Sequence, residues 1–264
     1  MTDQNKSIIA AIKHFISSHP EIAAEIERYA ARSQGKSDQD FHNFAEWKRY
    51  QNLSTQEIFE KIYEEGHWGK NPSKDGKYFS GTGSHDPVIV KTYVDAVSAF
   101  LQSLPEVPDA LDIGCGDFNV GSRLRPFCKT YTAADIAPKL IAFNTTRFAE
   151  LDVDFRVLNI IEEPAPAANV VFIRQVLQHL SNAEIKRALG NLAGRFDHLI
   201  VTEHVPPGQF TPNLDKTTGR GIRIRHNSGV VLSEPPFGLS FREQKVLCEV
   251  PELGGVIRTT VYSA

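Results

Sequence analysis

From residue 108 onward, short apolar runs alternate with longer stretches whose apolar positions recur every three or four residues. That alternation predicts strands near 109–113, 130–134, 153–158, 169–174 and 198–203, with helices between most of them, as a parallel sheet requires. Ser181-Asn182-Ala183-Glu184 reads as a capping box that opens a helix carrying Ile185, Leu189 and Leu192 and stopped by Gly194. The pattern then changes. Leu239 to Val250 and Gly255 to Tyr262 are two long strand-like runs joined by Pro251-Glu252-Leu253-Gly254, which reads as a hairpin. The first part of the chain has helical periodicity instead. Ile8, Ile12, Phe15 and Ile16 share a face, and Pro20 opens a second helix with Ile22, Ile26 and Tyr29. After the polar break at 33–37 comes a third, with Phe41, Phe44 and Trp47 on one side. Ser54-Thr55-Gln56-Glu57 is a capping box for a fourth, with Ile58, Ile62 and Tyr63 inward and Gly66 just past its end. The organisation expected is a helical extension over residues 1–66 and an α/β domain over 67–264. Within the latter, residues 67–86 form a loop of small residues and aromatics ahead of a helix from Val88 to Leu104, and 205–238 form a long insertion.

A chain of 264 residues can bury a good core. Its net charge of −3 gives no general attraction to nucleic acid or to an anionic membrane. No apolar run approaches 18 residues, so no membrane span is expected. The polar N-terminus and the three scattered cysteines, Cys115, Cys128 and Cys248, fit a reducing cytoplasm better than secretion. No His, Cys and carboxylate cluster has metal-site spacing, and none is expected to hold a metal.

The chemistry concentrates in Ala110-Leu111-Asp112-Ile113-Gly114-Cys115-Gly116-Asp117, an apolar strand running into an acid and two glycines. Asp135 follows Gly116 by nineteen residues, at the end of the next strand-like run. Glycines let a ligand lie against the backbone, and the later carboxylate can hold ribose hydroxyls, so the pair describes a nucleoside pocket. A dinucleotide site wants a third glycine in the Gly-x-Gly-x-x-Gly register, where this chain has Asn119. Cys115, inside the turn, reads as a small packing residue at the pocket rather than a nucleophile.

Asp-x-Gly-x-Gly resembles the first motif of the class I S-adenosylmethionine (SAM) methyltransferases, and the resemblance extends over roughly residues 67–264. It implies a seven-stranded, mostly parallel sheet with an antiparallel terminal strand, helices on both faces, and the N-terminal helical extension as an addition. It also implies a SAM cofactor, with S-adenosylhomocysteine as product. By the match, Gly114 and Gly116, with Cys115 between them, border the methionine and ribose, and Asp112 lies near the cofactor ammonium. Asp135 would accept from both ribose hydroxyls while Ile136 packs on adenine. Asn159-Ile160 stands where relatives place an adenine-binding acid. Arg174 and Gln175, at the carboxyl end of the fourth strand, would line the methionine pocket with their backbone. Trp68, Ser80 and Gly81 are candidates for a lid over the cofactor, against the plain reading of 67–86 as a solvated loop. Phe118 stands where many relatives carry a third glycine.

Glu203 and His204 leave the fifth strand beside the expected methyl donor, and His204 is the better candidate for a general base. His179 is a second catalytic candidate, though its Val-Leu-x-His-Leu context is more often structural. In the 205–238 insertion, Lys216, Arg223, Arg225 and His226 are candidates for reading an anionic acceptor, against the reading of a solvated basic loop. The activity expected is methyl transfer to an oxygen or nitrogen of a small, anionic or polyhydroxylated acceptor. Two alternatives stay open: a SAM-binding regulatory protein without catalysis, and an RNA or protein methyltransferase. The second lacks a basic face, and Glu234-Pro235-Pro236-Phe237 carries Glu where base amino-methylation needs Asn or Asp. The helical extension can cover the site, bind a partner or make a homodimer.

Overall fold

The computed structural model describes residues 48–71 and 77–264, so the three helices expected before residue 48 lie outside the described residues. The chain divides into two compact units between Gln51 and Asn52, and the second contains the sheet. Seven strands form it: β1 (Ala110–Ile113), β2 (Tyr131–Asp135), β3 (Asp154–Val157), β4 (Val170–Arg174), β5 (His198–Val205), β6 (Glu243–Glu252) and β7 (Gly255–Ser263). Their order across the sheet is β3-β2-β1-β4-β5-β7-β6. The first five pair in parallel, while β7 runs antiparallel to both β5 and β6. The chain winds outward from β1 to β3, then returns to lay β4 against the other side of β1. That reversal opens a crevice at the carboxyl ends of β1 and β4, where open α/β sheets hold their ligands.

Local chemistry sets the element ends. Helix α1 (Thr55–Glu64) starts on the Ser54 capping box and α5 (Asn182–Leu192) on that of Ser181, both with the reciprocal glutamate bond in place. Helix α2 (Pro87–Ser103) is capped by Asp86 and starts on a proline. Helices α3 (Gly121–Leu124) and α4 (Pro138–Arg147) follow β1 and β2. The terminal hairpin closes through two residues in left-handed conformation, Leu253 (φ 43°) and Gly254 (φ 74°), which matches the twist of β6 and β7.

Helix α1 belongs to the sheet-bearing unit, so the boundary expected at 66/67 falls inside that unit. The reason is its buried face of Ile58, Phe59 and Ile62, together with a hydrogen bond from Thr55 to Glu184 on α5. The core centres on Tyr131, Phe172, Val97, Leu101 and Phe118. Phe118 is wholly buried, edge-on to Tyr131, Phe148 and Phe155 at centroid distances of 5.6, 5.2 and 5.0 Å.

Candidate active site

A cavity of about 340 Å³ occupies the crevice, within the size range of small-molecule sites. Its floor is the turn after β1. Asp112, 7% exposed, accepts from the Tyr131 hydroxyl at 3.1 Å, and burial pushes its carboxyl up to about 7 against the pull of Tyr131 and Arg174. Asp135 accepts from the Gly116 amide at 3.1 Å and the Ala137 amide at 3.0 Å, while burial raises it to about 6 against these bonds. Gly116 has φ 58°, and a Cβ there would overlap the Ser80 hydroxyl, so both its conformation and its bareness are used. Ile136, Asn159 and Ile160 line the far wall, and Asn159 Oδ1 accepts from the Ile161 amide at 3.1 Å. Cys115 lines the turn; burial and the surrounding Asp135, Asp112 and Asp117 hold its thiol well above the ordinary range, which keeps it from acting as a thiolate.

Phe118 takes a left-handed φ of 61° in the place of a third glycine. Close packing of α3 comes instead from Gly121, where a Cβ would overlap the Phe118 ring and approach Asp112. Gly121 carried no sequence signal, because its spacing from Gly116 matches neither nucleotide motif.

The loop before α2 is fastened to this turn. Ser80 and Asp117 exchange bonds, Ser80 N to Asp117 Oδ2 at 3.1 Å and Asp117 N to Ser80 Oγ at 2.8 Å. His85 bonds the same carboxylate at 2.6 Å, and Asn119 donates to the Ser84 carbonyl at 2.6 Å. Arg174 does more than its backbone role. Its buried guanidinium donates to the Gly83 carbonyl, the Ser84 hydroxyl and Gln175 Oε1, and lies over the Tyr93 ring at 4.9 Å. Trp68, Ser80, Gly81 and Gln175 all line the cavity, as do Phe59 and Tyr63 of α1, a helix that the sequence pattern assigns to a separate extension. Trp68 packs edge-on to Tyr63 at 4.8 Å and lies 5.5 Å from the His179 ring.

The opposite wall is the turn Leu177–His179 after β4. Two candidates lie beneath it. Glu203 Oε1 and Oε2 accept from the Leu177 and Gln178 amides at 3.0 and 2.9 Å, and burial raises its carboxyl to about 8. Arg223, 1% exposed, donates to the carbonyls of Leu177, Gln178, Leu180 and Leu214 and to Asn182 Oδ1. Neither side chain lines the cavity. The catalytic expectation for Glu203 and the acceptor-binding expectation for Arg223 are therefore corrected: both side chains are consumed in clamping the turn. Lys216 is corrected likewise, since its ammonium donates to the His179 and Thr217 carbonyls from outside the cavity, and His226 does not line it either. The insertion faces the cavity with Arg220, Gly221, Ile222 and Arg225.

His204 and His179 do line it. His204 is 2% exposed; its Nε2 donates to the Glu252 carbonyl at 2.7 Å, and its Nδ1 lies 3.5 Å from Glu252 Oε2. The Glu252 carboxylate in turn accepts from Thr82 at 3.2 Å, linking the hairpin tip to the loop before α2. His179 is pushed down to about 3, first by burial and then by the charge of Lys216, so its imidazole is neutral.

Residues 111–196 match a family model described as a methyltransferase domain. No curated protein matches the sequence. Similar solved structures include the N-methyltransferase NodS from Bradyrhizobium japonicum WM9 in complex with S-adenosylhomocysteine. It is 16% identical with a TM-score of 0.50, over 67% of this chain and 88% of that one. Another is magnesium protoporphyrin IX methyltransferase (ChlM) from Synechocystis PCC 6803 with bound SAM, also 16% identical, with a TM-score of 0.51 over 80% of this chain and 98% of that one. The strand order and the glycine turn agree with the fold of these structures, and residues 111–196 of the chain match a methyltransferase domain with that class I fold.

Proposed function

We propose that the protein transfers a methyl group from SAM to an oxygen or nitrogen of a small, anionic or polyhydroxylated acceptor. One observation carries this reading: a single cavity is lined by Asp112, Gly116, Asp135 and Arg174 and also by Trp68, His179, His204, Arg220 and Arg225. The first set fits the cofactor by its chemistry. Asp112 is a buried carboxylate suited to an ammonium, and Asp135 has lone pairs left for ribose hydroxyls. When bound, SAM would supply a methyl group activated on a sulfonium, with S-adenosylhomocysteine as the leaving group.

The chain's own work is alignment and proton handling. The Ser80–Asp117 and Arg174–Gly83 bonds hold the loop before α2 over the cavity, and alignment of bound reactants is worth about 7–11 kcal/mol in favourable cases. His204 Nε2 must carry its proton to donate to the Glu252 carbonyl, so Nδ1 is the nitrogen left to accept one from an acceptor hydroxyl. The Glu252 carboxylate beside Nδ1 would stabilise the imidazolium formed, a contribution of ~10²–10⁴-fold for a base of this kind.

The test is calorimetric binding of SAM followed by an assay for S-adenosylhomocysteine release across carboxylated, phosphorylated and sugar acceptors. SAM should bind the wild type and bind Asp135→Ala at least tenfold more weakly, and an acceptor should yield S-adenosylhomocysteine in a His204-dependent way. Equal SAM affinity in both proteins would remove the pocket assignment.

A further inference from the structure

Directly after β4, the chain holds a polar side chain in place and leaves half of it unused. Gln175 has a left-handed φ of 54°, which is uncommon for a residue with a Cβ, and its amide donates to the Thr202 carbonyl at 2.7 Å. Its carboxamide lines the cavity, and its orientation is fixed. Arg174 donates to Oε1 at 3.0 Å, so the other atom of the group is the NH₂. Arg174 in turn is held by the Gly83 carbonyl and the Ser84 hydroxyl. The carboxamide also lies against Gly83, where a Cβ would collide with Oε1 and crowd Nε2. Among the described residues Nε2 has no hydrogen-bond partner, and it is not shut off from water as Trp68 Nε1 and Arg174 Nε are.

This donor belongs to the same part of the cavity as His204. Strands β4 and β5 pair as far as Arg174 and Thr202, so Gln175 and His204 leave the carboxyl ends of adjacent strands. A second link runs through the loop before α2. Thr82, the neighbour of Gly83, donates to the Glu252 carboxylate, which lies 3.5 Å from His204 Nδ1. The cavity wall here offers an N–H from Gln175 and a lone pair from His204 Nδ1. A hydroxyl complements both, since its oxygen accepts from one while its proton faces the other. A carboxylate or phosphate oxygen would instead meet the Nδ1 lone pair and the Glu252 carboxylate behind it. A protonated amine has no lone pair for Gln175. A neutral amine has one, which a methyl-receiving nitrogen must keep free, whereas an oxygen has two.

We propose that Gln175 is a positioning residue that selects a hydroxyl as the methyl acceptor, its Nε2–H donating to the hydroxyl oxygen while the hydroxyl proton faces His204. This rests on the methyltransferase reading and narrows its oxygen or nitrogen acceptor to an alcohol or phenol. Any anionic group elsewhere on that molecule is left to Arg220 and Arg225, which line the same cavity.

The test follows the Gln175 NH₂ signals in a ¹⁵N correlation spectrum of protein labelled in its glutamine side chains. Gln175→Met, similar in shape but without the donor, identifies them. Protein saturated with S-adenosylhomocysteine is titrated with phenol, benzyl alcohol and methyl glucoside, and with aniline and benzylamine as nitrogen counterparts. The NH₂ signals should shift saturably with at least one hydroxyl probe and with neither amine. Gln175→Met should weaken that probe about tenfold, while calorimetry finds its S-adenosylhomocysteine affinity within about threefold of wild type. Gln175→Glu, which keeps an oxygen for Arg174 but has no N–H, should lose the probe likewise; the rest of the spectrum reports whether each variant is folded. No shift with any hydroxyl probe, an equal shift with an amine, or unchanged probe affinity in the folded variants would overturn the assignment. An equal loss of S-adenosylhomocysteine affinity in Gln175→Met would overturn it too, by giving the carboxamide to the cofactor. Failure of S-adenosylhomocysteine to bind the wild type would instead sink the methyltransferase reading.

Discussion

Asp112 is held in a state that a cation should change. Its carboxyl sits at about 7 because burial disfavours the charge, and only Tyr131 and Arg174 oppose that effect. A bound ammonium would favour the ionised form, so binding must remove the proton that the empty site carries at lower pH. Affinity for S-adenosylhomocysteine should therefore fall on acidification from pH 7 to pH 5, by up to about tenfold per unit. Asp135, at about 6, adds to the fall at the acid end of that range. Asp112→Asn should bind more weakly at pH 7 and lose most of the slope between pH 7 and 6. Calorimetry at several pH values measures both, and a flat wild-type profile would show that neither carboxylate meets the ligand.

At the scale of elements, the contrast between two glycines shows what close packing does here. Gly121 opens α3 beneath the turn, and Gly121→Ala should destabilise the protein by about 1–3 kcal/mol, because the Phe118 ring is locked between three aromatics and cannot yield. Gly190 lies in α5 with nothing within 4 Å of its missing Cβ, and Gly190→Ala should stabilise by about 0.5–1 kcal/mol. Chemical denaturation of the two variants should give opposite signs. The capping boxes at Ser54 and Ser181, the strand alternation and the terminal hairpin were legible in the sequence because each is a local signal. The floor of the cavity was legible for the same reason, since Asp112, Gly114 and Gly116 are neighbours. Less was readable on the opposite wall. The clamp on Leu177–His179 joins Arg223 and Glu203 to a turn 45 and 26 residues away, and no local pattern separates an arginine facing carbonyls from one facing ligand. Helix α1 misled for a related reason: its amphipathic face is equally suited to a separate bundle and to the sheet domain that covers it.

Over the whole molecule, the buried carboxylates tie stability to pH. Asp112, Asp135 and Glu203 sit at about 7, 6 and 8 in the folded protein, all raised by burial from ordinary values of 3.8, 3.8 and 4.5. Groups with raised folded values favour the folded state fully below their unfolded values, and that contribution is lost as pH rises through the folded ones. The folded protein therefore holds more protons than the unfolded chain up to about pH 8, and stability should fall as pH rises. His179 and His198, both held down by burial, act in the opposite sense, but their effect lies below their ordinary value of 6.5. Arg223, lowered to about 10, titrates above the range of interest. The window from pH 6.5 to 8.5 thus isolates Glu203 and Asp112, and the ligand-free protein should lose on the order of 2 kcal/mol across it, some 5 °C in Tm. Glu203→Gln should start lower, since an amide cannot accept from both Leu177 and Gln178, yet show a flatter slope. Saturating S-adenosylhomocysteine should flatten the wild-type slope as well, because an ionised Asp112 then has its partner. Thermal unfolding across the window decides the matter: a Tm that rises toward pH 8.5 would mean that Arg223 keeps Glu203 ionised and that the clamp beneath the acceptor wall is a charged pair throughout.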